Sequence, residues 1–142
     1  MAKRVAIVGT GMAPSGTSSV PSWDLFATAA QEALKEAGLD PSSIQALHLG
    51  NVYSDFTEAQ TNMAPKVLSA MGVENCIPCV RYEAACASGG IAFRQGYLNI
   101  LSGMYDVVLV GGTERLRAAP GSVVQQAMAT SMDLAERNAG LT

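Results

Sequence analysis

Glu83-Ala84-Ala85-Cys86-Ala87-Ser88-Gly89-Gly90 stands between an apolar run, Ile77 to Arg81, and a long stretch of helix-forming character, and so reads as a strand-to-helix junction carrying a cysteine. Such a junction can activate a thiol. The first backbone N–H groups of a helix have no intrahelical partner, so a thiolate on Cys86 would gain from hydrogen bonding and from the macrodipole. The same N–H groups can hold an oxyanion. Small residues on both sides leave room for a substrate chain, and Gly89-Gly90 allows another backbone or a ligand to come close.

Outward from that junction the chain alternates between the two periodicities. Arg4 to Gly9 reads as a buried strand, closed by Gly9-Thr10-Gly11 and a Pro/Gly/Ser loop through Pro21. Ser22 is an expected N-cap for a helix over Trp23 to Ala37, whose Phe26, Ala30, Ala33, Leu34 and Ala37 recur at helical spacing, with Gly38-Leu39 as a Schellman-type end. Ile44 to Val52 is the second expected strand. Pro65 is placed to open a short helix ending near Gly72, Ile77 to Arg81 is the third strand, Cys86 to Gly103 the third helix and Asp106 to Val110 the fourth strand. Apolar runs without alternation belong to sheets covered on both faces, and alternating strands and helices favour a parallel sheet with right-handed crossovers. The expected class is α/β, with three layers, α/β/α.

Composition narrows the function. The chain has 142 residues, enough for one domain with a real core. Its charged fraction of 15% lies well below the roughly 25% of ordinary domains. Much of its surface is therefore expected to face a partner. A net charge of −3 without basic runs argues against nucleic acid, and no apolar run approaches membrane-spanning length. Lys3-Arg4 with Val5 to Val8 is too short and glycine-interrupted for a signal peptide, so a cytoplasmic protein is the expectation, with its three cysteines reduced. Cys76-Ile77-Pro78-Cys79 has the spacing of redox and zinc sites, but only Cys86 and His48 are left as further sulfur or nitrogen ligands. Packing is the better reading of this pair, and no metal is expected. His48, alternating with Leu47 and Leu49, reads as a hydrogen-bonded sheet residue rather than a base. Gly9-Thr10-Gly11 is not a dinucleotide loop, because Pro14 stands where a third glycine is needed.

The segment from Cys86 through Asp106-Val-Val-Leu-Val-Gly-Gly-Thr-Glu114 strongly resembles the nucleophile region of thiolases, in particular the archaeal and sterol-carrier-type acetyl-CoA acetyltransferases. Arg4-Val-Ala-Ile-Val-Gly-Thr-Gly11, Leu49-Gly-Asn51 and Arg81-Tyr-Glu-Ala-Ala-Cys-Ala-Ser-Gly-Gly90 extend the likeness over roughly four fifths of the chain. The resemblance implies an N-terminal thiolase half, residues 1–114, with the strands just described in spatial order 3-2-1-4, followed by a shortened loop and helical tail, residues 115–142. It implies that Cys86 takes an acyl group from coenzyme A. A coenzyme A thioester is then substrate, with no permanently bound cofactor and no assignable coenzyme A-binding residue. The family's activating histidine and second cysteine belong to its second half, and nothing after Cys86 is a histidine or cysteine. The resemblance therefore implies an incomplete enzyme, inactive alone.

One argument is independent of family. From Ala84 to Gly103 the only charge is Arg94, while Ile91, Phe93, Leu98, Ile100 and Leu101 spread apolar surface around the helix. Such a helix is buried on more than one side. With only four candidate strands the chain scarcely contains a second cover, so a covering partner is expected; the resemblance to thiolases implies that it is a homo-oligomer contact or a complementary thiolase half. Thiolases commonly pair through the strand preceding the nucleophile, which makes Ile77 to Tyr82 the candidate edge. Two other functions fit a cysteine at a helix start: a condensing enzyme of the ketoacyl-synthase or hydroxymethylglutaryl-CoA synthase kind, and a non-catalytic thiolase-like subunit.

Overall fold

The computed structural model describes residues 4–140. Three parallel strands form its sheet: β1 (Ala46–Gly50) lies in the centre, β2 (Cys79–Tyr82) on one side and β3 (Val108–Gly112) on the other. In register, Leu49 stands opposite Arg81 and Gly111, and Gly50 opposite Tyr82 and Gly112. The faces follow from the period of two. Leu47 and Leu49 point into a core with Phe26, Ala30 and Leu34 of α1 (Ser22–Ala37) and Met63, Val67 and Leu68 of α3 (Met63–Ala70). His48 points the other way, toward α4 (Ser88–Ser102). The layers are helix, sheet, helix, and the α/β class read from the sequence holds.

Local chemistry explains the element ends. Gly38 takes the left-handed conformation at φ 67°, and the Leu39 N–H returns to the Leu34 carbonyl at 2.9 Å, the Schellman closure. Pro65 sits in the first turn of α3, where its missing N–H costs nothing. Ser22 departs from expectation. It is the first helical residue rather than the cap, and its N–H (2.9 Å) and hydroxyl both donate to the Glu58 carboxylate, which orients the side chain toward Glu58. The chain between β1 and α3 holds a short helix, α2 (Ser54–Thr57), and the tail forms α5 (Gly121–Ala129) and α6 (Leu134–Asn138).

The spatial order requires a correction. The strand expected over Arg4 to Gly9 is absent from the sheet, so 3-2-1-4 becomes 3-2-4 in the same numbering, and β1 pairs directly with β3. The N-terminal segment instead crosses α1. A Cβ on Gly9 or Gly11 would collide with the carbonyl oxygens of Ala33 and Ala29, so both glycines are required by backbone contact with the helix. The Thr10 and Met12 N–H groups donate to the carboxylates of Glu36 and Glu32 at 2.8 and 2.9 Å. These bonds take the place of ladder partners. An apolar run specifies extended backbone but not its neighbour, and here Ile7 and Val8 stay 69% and 62% exposed.

The connections place the site. The β1-to-β2 crossover runs over the α1/α3 face, and the β2-to-β3 crossover runs back over the other face through α4. Adjacent strands β1 and β2 thus send their chains to opposite faces. The crevice at their carboxyl ends is a topological switch point, the usual ligand position in open α/β sheets.

Candidate functional site

Cys86 lies at that crevice. It is exposed, in the middle of a 3₁₀ turn (Ala85–Ala87) that joins the end of β2 to the first turn of α4. The residue before it, Ala85, is held at φ 47°, in the left-handed region that a residue with a Cβ enters at a cost. Four hydrogen bonds hold this strained turn. The Ala84 N–H donates to Ser88 Oγ at 2.8 Å, whose own hydroxyl donates to the Ala85 carbonyl at 2.7 Å. The Ala85 N–H donates to the Glu83 carboxylate at 2.7 Å, and the Ala87 N–H to the Ala84 carbonyl at 2.9 Å. Ser88 is buried, so its bonds are not exchanged for water.

Beneath the turn, β1 and α4 touch backbone to backbone. A Cβ on Gly50 would lie 2.6 Å from the Gly89 nitrogen, so only glycine lets the start of α4 rest on the end of the central strand. Farther along, α4 is pinned by a buried polar chain. Gln95 Nε2 donates to Asn99 Oδ1 at 2.9 Å, Asn99 Nδ2 lies 3.2 Å from His48 Nε2, and His48 Nδ1 lies 3.0 Å from the Tyr82 hydroxyl. Asn99 assigned as donor makes Nε2 the acceptor, so the ring proton sits on Nδ1 and goes to Tyr82. His48 is 4% exposed, and burial pushes its pKa down, toward the neutral ring this chain requires. His48 is the hydrogen-bonded sheet residue read from the sequence, enclosed by its partners. Cys79 opens β2 and is half-buried against the core, with Cys76 exposed just before it, both at the opposite end of that strand from Cys86. No group of three or more metal-ligating side chains occurs among the described residues.

A second polar assembly, not foreseen from the sequence, shapes the carboxyl ends of the strands. Arg81 of β2 donates to the Asn51 and Val52 carbonyls at 3.2 and 2.8 Å and to both oxygens of Asp55 at 2.6 and 3.2 Å. Glu114, just after β3, accepts from the Val52 and Tyr53 N–H groups. The β1 exit is therefore gripped by a cation through its carbonyls and by an anion through its amides. Glu114 as a whole residue is exposed. Loss of hydration pushes its pKa up, against the pull of the two N–H groups and Arg81, and the charge of Glu58 adds to the rise. Arg115 donates to the Ser18 carbonyl at 3.0 Å and stands 3.8 Å from the enclosed Glu58 carboxylate. The available signal was the placement of Arg81 and Glu114 directly beside strands in a chain so poor in charge.

The family model described as "Thiolase, N-terminal domain" matches residues 5–141. The chain belongs to the thiolase family. An acetyl-CoA acetyltransferase of Methanocaldococcus jannaschii is 40% identical over 113 residues, 79% of this chain and 29% of that protein. A second acetyl-CoA acetyltransferase, of Methanothermobacter thermautotrophicus, is 31% identical over the same shares, and a probable acetyl-CoA acyltransferase of Staphylococcus aureus is 32% identical over 124 residues, 82% of this chain and 30% of that protein. The chain thus spans about three tenths of the length of these thiolase relatives. The resemblance read from the Cys86 region is borne out, and the parallel sheet with its helices is a partial thiolase-like fold.

Proposed function

We propose that Cys86 is the nucleophile of a thiolase-type acyl transfer. The observation that carries this reading is an exposed cysteine on a strained turn, at the switch point of the sheet and at the start of α4. The Cys86 thiolate attacks the carbonyl carbon of an acyl-CoA thioester, the bond to the coenzyme A sulfur breaks, and coenzyme A leaves as its thiolate, later protonated. The enolate of acetyl-CoA then attacks the Cys86 thioester, giving 3-oxoacyl-CoA and freeing Cys86. Thiolysis is the reverse. Thioester exchange between two thiols is nearly balanced, so the intermediate reopens readily. The coenzyme A thioester enters as substrate and no resident cofactor takes part.

His48 cannot serve as the base in this scheme, because both ring nitrogens are engaged inside the fold. The groups that deprotonate Cys86 and form the enolate are assigned to sequence beyond these 142 residues, in a complementary half or a partner subunit. General acid/base groups of this kind are worth about 10²–10⁴-fold each. The purified chain is therefore expected to form an acyl adduct slowly with acetyl-CoA and to show no thiolysis of acetoacetyl-CoA. Addition of the C-terminal half of a close relative should restore turnover, and Cys86→Ser should abolish it. Intact-mass measurement decides the first step: acylation of Cys76 or Cys79 in place of Cys86, or of no cysteine, removes the nucleophile reading and leaves a non-catalytic subunit.

A further inference from the structure

A cleft of about 400 Å³ opens between the N-terminal loop, α1 and the chain leaving β3, and Cys86 does not line it. Its apolar wall comes from Met12, Leu25, Ala29 and Leu116. Its polar rim holds three charged side chains, two of which are committed elsewhere: Glu114 to the Val52 and Tyr53 amides, and Arg115 to the Ser18 carbonyl and Glu58. Arg117 is different. It is exposed, lines the same cleft and makes no ion pair among the described residues. The cleft lies beside the carboxyl end of β3 on the α1 side, apart from the switch point between β1 and β2. Its volume suits a small molecule, and an apolar wall with few polar groups is the usual composition of such sites.

We propose that this cleft binds a small amphiphilic anion, its apolar tail against Leu25, Ala29 and Leu116 and its carboxylate or phosphate head paired with Arg117. The inference does not depend on the role of Cys86. The planar guanidinium offers paired N–H donors that match either head group, and Arg117 is the rim cation without an ion-pair partner among the described residues.

The test is a titration of the full chain with octanoate, followed by NMR shifts, with octyl phosphate and 1-octanol as parallel ligands. The expected result is saturable change centred on Leu25, Ala29 and Leu116, with both anions binding more tightly than the alcohol. The better of the two anions assigns the head group. Arg117→Gln, a surface change, should weaken the anions about fivefold and leave 1-octanol unaltered. Equal affinity of octanoate and 1-octanol, unchanged anion binding in Arg117→Gln, or shifts centred on Ile91 and Phe93 of α4 would each overturn the proposal. Loss of acylation at Cys86 with octanoate binding intact would overturn only the nucleophile reading.

Discussion

Two residues under the site are committed by their surroundings, and each gives a measurable consequence. Gly50 has the Gly89 backbone where a Cβ would stand, and backbone cannot rotate aside. Gly50→Ala is expected to destabilise the fold by about 1–3 kcal/mol and to alter iodoacetamide labelling of Cys86 without changing that of Cys76. A change below about 0.5 kcal/mol in urea unfolding would show that α4 does not depend on this contact. His48 is held neutral by burial, with its folded pKa below that of the unfolded chain. The unfolded state therefore binds the extra proton first, so this contribution to stability is complete above the ordinary histidine pKa of about 6.5 and declines as pH falls toward the folded value. His48→Gln should remove that component from the pH profile of unfolding. An unchanged profile would mean that the ring is not held neutral. The sequence indicated His48 correctly because a lone polar residue between two leucines in a strand needs partners. Ser22 was misread because its competing partner, Glu58, is 36 residues away, a distance that local capping rules do not see.

At the scale of elements, the β1 exit depends on grips from both neighbouring strands. Arg81 supplies donors to three carbonyls, those of Asn51, Val52 and Thr61, and to both oxygens of Asp55, a fork that a lysine cannot reproduce. Arg81→Ala is expected to cost about 1.5–3 kcal/mol, with Arg81→Lys recovering only part. Equal stability of the lysine and arginine forms would show that charge alone matters there. Three of the four expected strands were legible because continuous apolar runs between turn residues leave little choice. Arg4 to Gly9 carries the same signal and yet lies on α1. Its glycines are complementary to a small-residue helix surface, and that surface can be recognised only once α1 is placed. The Cys86 junction was legible for a different reason: small residues around a cysteine between strand and helix form a local pattern, whereas the Arg81 and Glu114 grips join positions far apart in sequence.

For the whole molecule, the outer side of α4 leaves apolar side chains uncovered. Asn99 and Ala92 are buried against the sheet, while Ile91, Phe93 and Tyr97 stay exposed, Phe93 at 52%. Val80 on the β2 edge is also open. Exposed apolar side chains on α4 and on the β2 edge favour association. Light scattering at micromolar concentration should show a dimer or larger species, and Phe93→Glu with Tyr97→Glu should shift it toward monomer. A stable wild-type monomer would contradict this.

The central position of β1 also bears on how the sheet is assembled during synthesis. Strands emerge from the ribosome in the order β1, β2, β3, and translation at about 5–20 residues per second separates them by seconds. Each later strand can therefore add to an edge of the sheet that already exists, with α1 and α3 covering β1 before α4 has been made. Growth then proceeds outward from the middle, and no finished pair has to reopen to admit a latecomer. Hydrogen exchange on nascent chains halted after β2 and after β3 should protect Leu47 and Leu49 in the first, and Leu109 and Gly111 only in the second, and the segment that carries Cys86 would be fixed only when its helix closes over a sheet already two strands wide.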